Sequence, residues 1–403
     1  MTSTACRIAL LLALVACGTQ HEERYGFVAT LGSDTTSVEQ VTRTPSRIVV
    51  DAVGRSPRVT RRHWTAQLGP DGSVQKWSMD TYIPNAEPAN QHIHHTADFS
   101  GNTISLSRGV AAGSRDFAYQ KQYPATVPWN AFVYSTYEPL FDAARRQGAA
   151  ARIGQYFFEG WDESHIGYAD IRRQSDGSYS LASTGLAGSG VAHFDSAGRM
   201  VAYSGAGTTY KQEVRRVSEV PNIDSLTTRL AAAELETGVP SELSPGDFVQ
   251  DTLGSAILTI TYSRPARRGR TLVGGLIPYD QVWRTGANAA TQFTTSEPIT
   301  LAGIPLHAGK YTLWTLPSKT GVQLIVNGQT GQWGTSYRSS ADVARKPMQV
   351  DSLPGNVEQF TIRVEPDAAA KAGAGRGRLV MEWGQFRWSA AIQAPVPAPA
   401  KTR

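Results

Sequence analysis

The stretch Val59-Thr-Arg-Arg-His-Trp-Thr-Ala-Gln67, then Gly69-Pro-Asp-Gly72, then Val74-Gln-Lys-Trp-Ser-Met79, decides the fold class. On each side of the turn the residues suit a half-buried strand, and β-branched and aromatic side chains fit a pleated surface. Gly and Asp between them accept the positive φ that a tight hairpin requires. The same turn chemistry recurs at Ser100-Gly-Asn102, Asp176-Gly-Ser178 and Asp195-Ser-Ala-Gly198. Arg47-Ile-Val-Val-Asp51 and Met200-Val-Ala-Tyr203 read as further strands. The expectation is a mainly β protein whose first domain, residues 24–217, is a curved antiparallel sheet.

One helix interrupts it. Tyr137, Leu140, Phe141 and Ala144 recur at helical spacing, with Thr136 as a candidate cap, Glu138 and Pro139 in the first turn and Gly148 as the stop. Around it lie Tyr123, Trp129, Phe132, Tyr134, Tyr156, Phe157, Phe158 and Trp161. Such a cluster is either a core where the helix packs on the sheet or the wall of an apolar cavity beneath it.

Residues 218–246 read as a linker. Pro221, Pro240 and Pro245 bracket a short helix over Ser225 to Glu236. Strands then return over Ala256 to Tyr262, Ala290 to Ser296, Lys310 to Leu316, Val322 to Asn327, Gln359 to Val364 and Arg378 to Trp383. Short strands with hairpin turns over residues 247–393 predict a β-sandwich or jelly roll. Asp367 to Gly377 reads as a loop, and residues 394–403 as a disordered proline-alanine tail.

The N-terminus speaks to location. Arg7 precedes the apolar run Ile8 to Ala16, short for a membrane span but suited to a signal peptide over residues 1–16. It ends in Leu14-Val-Ala-Cys17, which resembles a bacterial lipoprotein signal. That resemblance implies acylation of Cys17, a tether over residues 17–23 and a lipid-anchored envelope protein. Gly18 in place of aspartate favours the outer membrane. More than one acyl chain is needed for stable anchoring, and this modification supplies it. The other cysteine, Cys6, lies in the segment to be removed, so no disulfide or thiolate chemistry is expected. A net charge of +5 over 403 residues, without lysine-arginine runs, is no nucleic-acid footprint.

Six separated motifs mark the second domain: Ser244-Pro-Gly-Asp247, Tyr262-Ser-Arg-Pro265, Gly269-Arg270, Trp283-Arg-Thr-Gly-Ala-Asn288, Phe293-Thr-Thr295 and Trp333-Gly-Thr-Ser-Tyr337. On these, the chain from about Leu243 to Ile392 resembles the bacterial family of domain of unknown function 2911. The resemblance implies kinship and brings no reaction with it. His307 stands where that family usually has proline, which argues against a chemical role for it.

Candidate chemistry is sparse. His92 and His94 of His92-Ile-His-His95 share one strand face and form the nearest approach to a metal pair. Only Asp98 and the distant His63 could add to them, so no metal or other cofactor is expected. No nucleophile elbow or phosphate loop is present. What remains is Tyr262, Arg264, Trp283, Arg284, Asn288, Trp333 and Tyr337. Planar aromatics and arginine forks suit a small polar or carbohydrate-like ligand. The same residues could instead hold an irregular loop together. A non-enzymatic binding module is the first expectation. An envelope hydrolase using Asp247, Asp280 or Glu297, and a carrier of an apolar ligand in the first domain, are the alternatives.

Overall fold

The computed structural model describes residues 22–110, 113–158, 166–237, 242–368 and 374–396. The signal segment, Cys17 and Trp161 lie outside these, as does most of the C-terminal tail.

Residues 23–217 build one fifteen-stranded sheet that does not close. Glu23–Leu31 lies at its centre. On one side follow, in chain order, Asp34–Thr44, Arg47–Gly54, Thr60–Leu68, Val74–Tyr82, His92–Asp98, Thr103–Val110 and the edge strand Gly113–Gln120. On the other side the chain runs back inward from Thr126–Trp129 through Ala150–Phe157, Ile166–Arg173, Tyr179–Ser183, Leu186–Phe194 and Met200–Ser204 to Glu213–Val217. That last strand pairs with the first, Thr30 opposite Glu213. The expected curved antiparallel sheet is present, with one departure: Thr126–Trp129 pairs in parallel with Ala150–Phe157. The helix between them, α1 (Tyr137–Gln147), is the crossover that a parallel pair requires.

Side chains alternate across this sheet with period two. Tyr25, Phe27, Ala29, Val41, Ile48, Val50 and Trp64 face the buried side with α1, whose Tyr137, Leu140, Phe141 and Ala144 are all buried. Trp77 packs against Phe158, ring centroids 4.8 Å apart, and against Tyr156 at 6.3 Å, so curvature brings distant strands face to face. The aromatic cluster is therefore a core. The opposite face, at Val28, Val38, Val53 and Val59, is covered by α2 (Ile223–Thr237) through Ile223, Leu226 and Ala231. The helix expected in the linker is thus packed on the first sheet. Asn222 caps it, its Oδ1 accepting the Ser225 N–H at 2.8 Å.

The cap of α1 differs from the sequence expectation. Thr136 is itself helical and makes no side-chain cap. Glu39, fully buried on Asp34–Thr44, accepts the N–H groups of Tyr134 and Ser135 at 2.6 and 2.9 Å. A carboxylate from a distant strand thus closes the positive helix end. Glu138 is buried too, bonded to Tyr25 and to Arg216 at 3.0 Å, and burial pushes its carboxyl up to about 7.

Residues 246–393 form two packed antiparallel sheets, the expected sandwich. One has six strands, ordered Gly246–Leu253, Ala256–Ser263, Thr291–Thr295, Gly309–Ser318, Gly321–Asn327 and Asp342–Pro347. The other has four: Ile304–Leu306, Ile299–Leu301, Arg376–Gln393 and Gln349–Pro366. The last two run to 18 residues each, longer than their apolar runs suggest. Leu258, Ile260, Phe293, Leu313 and Leu324 of the first sheet meet Phe360, Ile362, Leu379, Met381 and Trp388 of the second in one core.

Candidate functional site

Residues 264–290 connect two neighbouring strands without forming one, and they carry two of the six motifs, Gly269-Arg270 and Trp283–Asn288, with the end of a third at Arg264-Pro265. The first part is bonded to the four-stranded sheet. Arg267 donates its N–H to Glu358 O at 2.8 Å, and Phe360 donates to Pro265 O at 3.0 Å. The second part is bonded to the six-stranded sheet, where Trp283 and Thr315 exchange N–H···O bonds of 2.7 and 3.0 Å. The connection therefore spans the open edge between the sheets. Of the six non-glycine residues with positive φ among the described residues, it holds Arg268, Asp280, Thr285 and Asn288. Thr285 at φ 55° is a β-branched residue in a region that such side chains avoid.

The seven residues named from sequence divide into two groups. Tyr262 is core: its hydroxyl accepts the Ile362 N–H at 2.9 Å and donates to Asp247 at 3.0 Å. Burial pushes that hydroxyl up to about 12. Arg264 is committed to the neighbouring strand, with Nε on Phe360 O at 3.1 Å and Nη2 on Thr361 Oγ1 at 2.9 Å. Trp283 stacks with Trp383 at 6.0 Å and meets Phe360 edge-on at 5.1 Å. Tyr337 donates to Asp342 at 2.6 Å and accepts from Arg345 at 2.8 Å. These four hold the loops in place.

Arg284, Asn288 and Trp333 come together. Gly334 donates to Asn288 O at 3.0 Å, and Ala290 donates to Gln332 O at 3.2 Å, so the 332–334 loop lies on the 284–290 turn. A Cβ on Gly334 would sit 2.0 Å from Arg284 Cδ and 2.5 Å from Asn288 O, so only glycine permits this approach. Beside it Trp333 is 52% exposed, an isolated indole in solvent. Arg284 is half-buried, and its Nε is buried with no hydrogen-bond partner. Burial holds its guanidinium below the usual arginine range.

Sequence reasoning missed the side that the first domain contributes. The turn Gly32-Ser33 docks on the connection: Ser33 donates to Arg268 O at 3.0 Å, and Asp34 pairs with Arg268 at 2.8 Å. The adjacent turn, just ahead of Glu213, presents exposed Tyr210 and half-buried Lys211, the latter at φ 51°. Nothing local marks Lys211, because only the pairing of Thr30 with Glu213 carries it to this joint.

The other candidates lie elsewhere. His92 and His94 do face the same way, but His92 stacks on Tyr82 at 4.7 Å and His94 bonds Asp80 at 2.7 Å. His63 is likewise taken by Asp51 at 2.9 Å, and among the described residues no group of three metal-ligating side chains forms. Asp280 and Glu297 are exposed on separate turns, and Asp247 is held by Tyr262. In the first domain a cavity of about 270 Å³ is lined by Arg62, His95, Arg108, Phe117, Tyr156 and Phe158 among others, away from α1.

Residues 244–392 match the family model described as "Protein of unknown function (DUF2911)". No curated protein matches the chain. Among solved structures, a β-barrel-like protein of domain of unknown function DUF1849 from Brucella abortus is similar at 10% identity and a TM-score of 0.29. The similarity covers 49% of this chain and 94% of that one.

Proposed function

We infer that this is a non-enzymatic binding protein of the bacterial envelope, anchored through lipid on Cys17, whose second domain takes a small polar, carbohydrate-like ligand. The observation that carries the binding reading is Trp333, exposed beside Arg284 and Asn288 on a loop that Gly334 holds against them. An exposed indole offers a flat face to the C–H patches of a sugar ring, and the neighbouring polar groups supply direction. Binding is favoured over hydrolysis because Asp247 is bonded to Tyr262 on a strand while Asp280 and Glu297 are exposed on separate turns.

The anchor rests on the run from Ile8 to Cys17, and no helix among the described residues is long and apolar enough to cross a membrane. The first strand begins at Glu23, so the sheet follows the modified cysteine closely. Mass spectrometry of the mature protein is expected to show an acylated N-terminal Cys17; a chain that retains Met1, or a free thiol there, refutes the anchor.

Binding is tested by calorimetric titration with neutral sugars, glucose and N-acetylglucosamine oligomers. Trp333→Ala is expected to weaken whichever sugar binds by about tenfold, from roughly 1.5 kcal/mol for an aromatic contact. Its stability should change by less than about 0.5 kcal/mol, because the indole is exposed. Unchanged affinity in this variant counts against the surface.

A further inference from the structure

We propose that the joint between the two domains is an anion site, in which Arg284 and Lys211 together hold a carboxylate or phosphate carried by the ligand. The inference rests on the binding reading above and names the ligand class: a ring compound with an acidic substituent, such as an acidic sugar or a sugar phosphate.

Three features of the joint support it. Other arginines of the connection satisfy themselves on the protein. Arg264 bonds Phe360 O and Thr361, Arg267 bonds Arg270 O and Asn356, and Arg270 bonds Arg267 O and Ala266 O. Arg284 forms no ion pair with any described residue, and its Nε is buried without a partner. A buried donor left unmade is costly, so a planar fork in this state is suited to an acceptor from outside.

Lys211 comes from the other domain, two residues ahead of Glu213, whose partner Thr30 leads into the Gly32-Ser33 turn docked on Arg268. Its Nζ has one protein bond, to Ala206 O at 3.1 Å, and no described carboxylate pairs with it. Burial, and after it the charges of Arg284 and Arg270, hold its ammonium below the ordinary lysine range. Like charges repel one another, and a bound anion turns that repulsion into attraction.

Exposed aromatics stand beside both cations: Trp333, 52% exposed, on the loop packed against Arg284, and Tyr210, 37% exposed, next to Lys211 in the chain. Each domain thus supplies one cation and one exposed aromatic. Lys211, Thr285 and Asn288 all hold positive φ around this place, as strained backbone at binding sites often does.

The test compares glucose, glucuronate, glucose 6-phosphate and inorganic phosphate by calorimetry on the full chain, its Arg284→Gln and Lys211→Gln variants and the surface control Arg172→Gln, exposed on Ile166–Arg173. A charged sugar is expected to bind at least about tenfold more tightly than glucose. Each of the two joint variants should lose about that factor, while the control does not. The glucuronate and phosphate arms decide which anion is preferred. Arg284→Met, which keeps the stem and deletes the unpartnered nitrogen, should lose the charged probe yet melt at or above the parent temperature. A structural arginine would instead melt lower on removal. Charged and neutral sugars binding alike, or joint variants that keep full affinity, overturn the anion site while leaving neutral-sugar recognition standing. No binding of any probe overturns both readings.

Discussion

Glu39→Ala is expected to lower the stability of the first domain by about 3–5 kcal/mol, since each buried donor left unsatisfied costs roughly 1–3 kcal/mol. Glu39 is wholly buried and accepts the backbone N–H groups of Tyr134 and Ser135 as well as the Ser135 hydroxyl. These donors open the helical segment 134–147, whose first turns have no side-chain cap of their own. Alanine would leave them facing an apolar core that includes Trp129 and Tyr137. Burial pushes the Glu39 carboxyl up, and the hydrogen bonds from Ser135 and Tyr134 oppose that shift. Urea denaturation checks it: the midpoint should fall with little change in slope, as for a loss of stability without a change in exposed surface. A loss below about 1 kcal/mol would show that water replaces the carboxylate, and the capping account would then fail.

The Glu39 cap also shows where sequence reading stops. The hairpin turns were legible because their chemistry is local. Asp71 accepts the Ser73 N–H at 3.0 Å, Asp176 accepts that of Ser178 at 2.9 Å, and Asp195 accepts those of Ala197 and Arg199 at 3.0 and 2.9 Å. The stripe of α1 was legible for the same reason, and Gly148 ends that helix at φ 117° as expected. Non-local pairing was not. Nothing near Glu39 announces a helix 95 residues later in the chain, and Thr136 at the helix start was the plausible but wrong cap. The joining of Glu23–Leu31 to Glu213–Val217 creates a single sheet out of two meanders, and it alone brings Lys211 to the candidate site. In the second domain, the motifs marked these loops without distinguishing their inward from their outward side chains. A residue in a regular strand inherits its facing from its neighbours. Residues 264–290 have no such period.

Trp283→Ala puts that distinction to the test, with an expected loss of about 2 kcal/mol, below the range for a fully buried aromatic because the indole is half-buried against the core. The indole lies parallel to Trp383 at 6.0 Å, edge-on to Phe360 at 5.1 Å and near Trp388 at 6.2 Å. Its backbone pairs with Thr315, so the side chain is fixed from both ends. Arg284, the next residue, carries a buried, unpartnered nitrogen beside Gly334, and Trp333, the matching tryptophan of the other motif, stands in solvent. The two tryptophans should therefore give opposite signatures. Trp283→Ala lowers the urea midpoint, and whatever remains folded binds sugar through an intact surface. Trp333→Ala leaves the midpoint in place and weakens the ligand. If Trp283→Ala proves nearly neutral in stability but weakens binding, the stack is a platform rather than a core, and the site must be redrawn around Trp283 instead of Arg284.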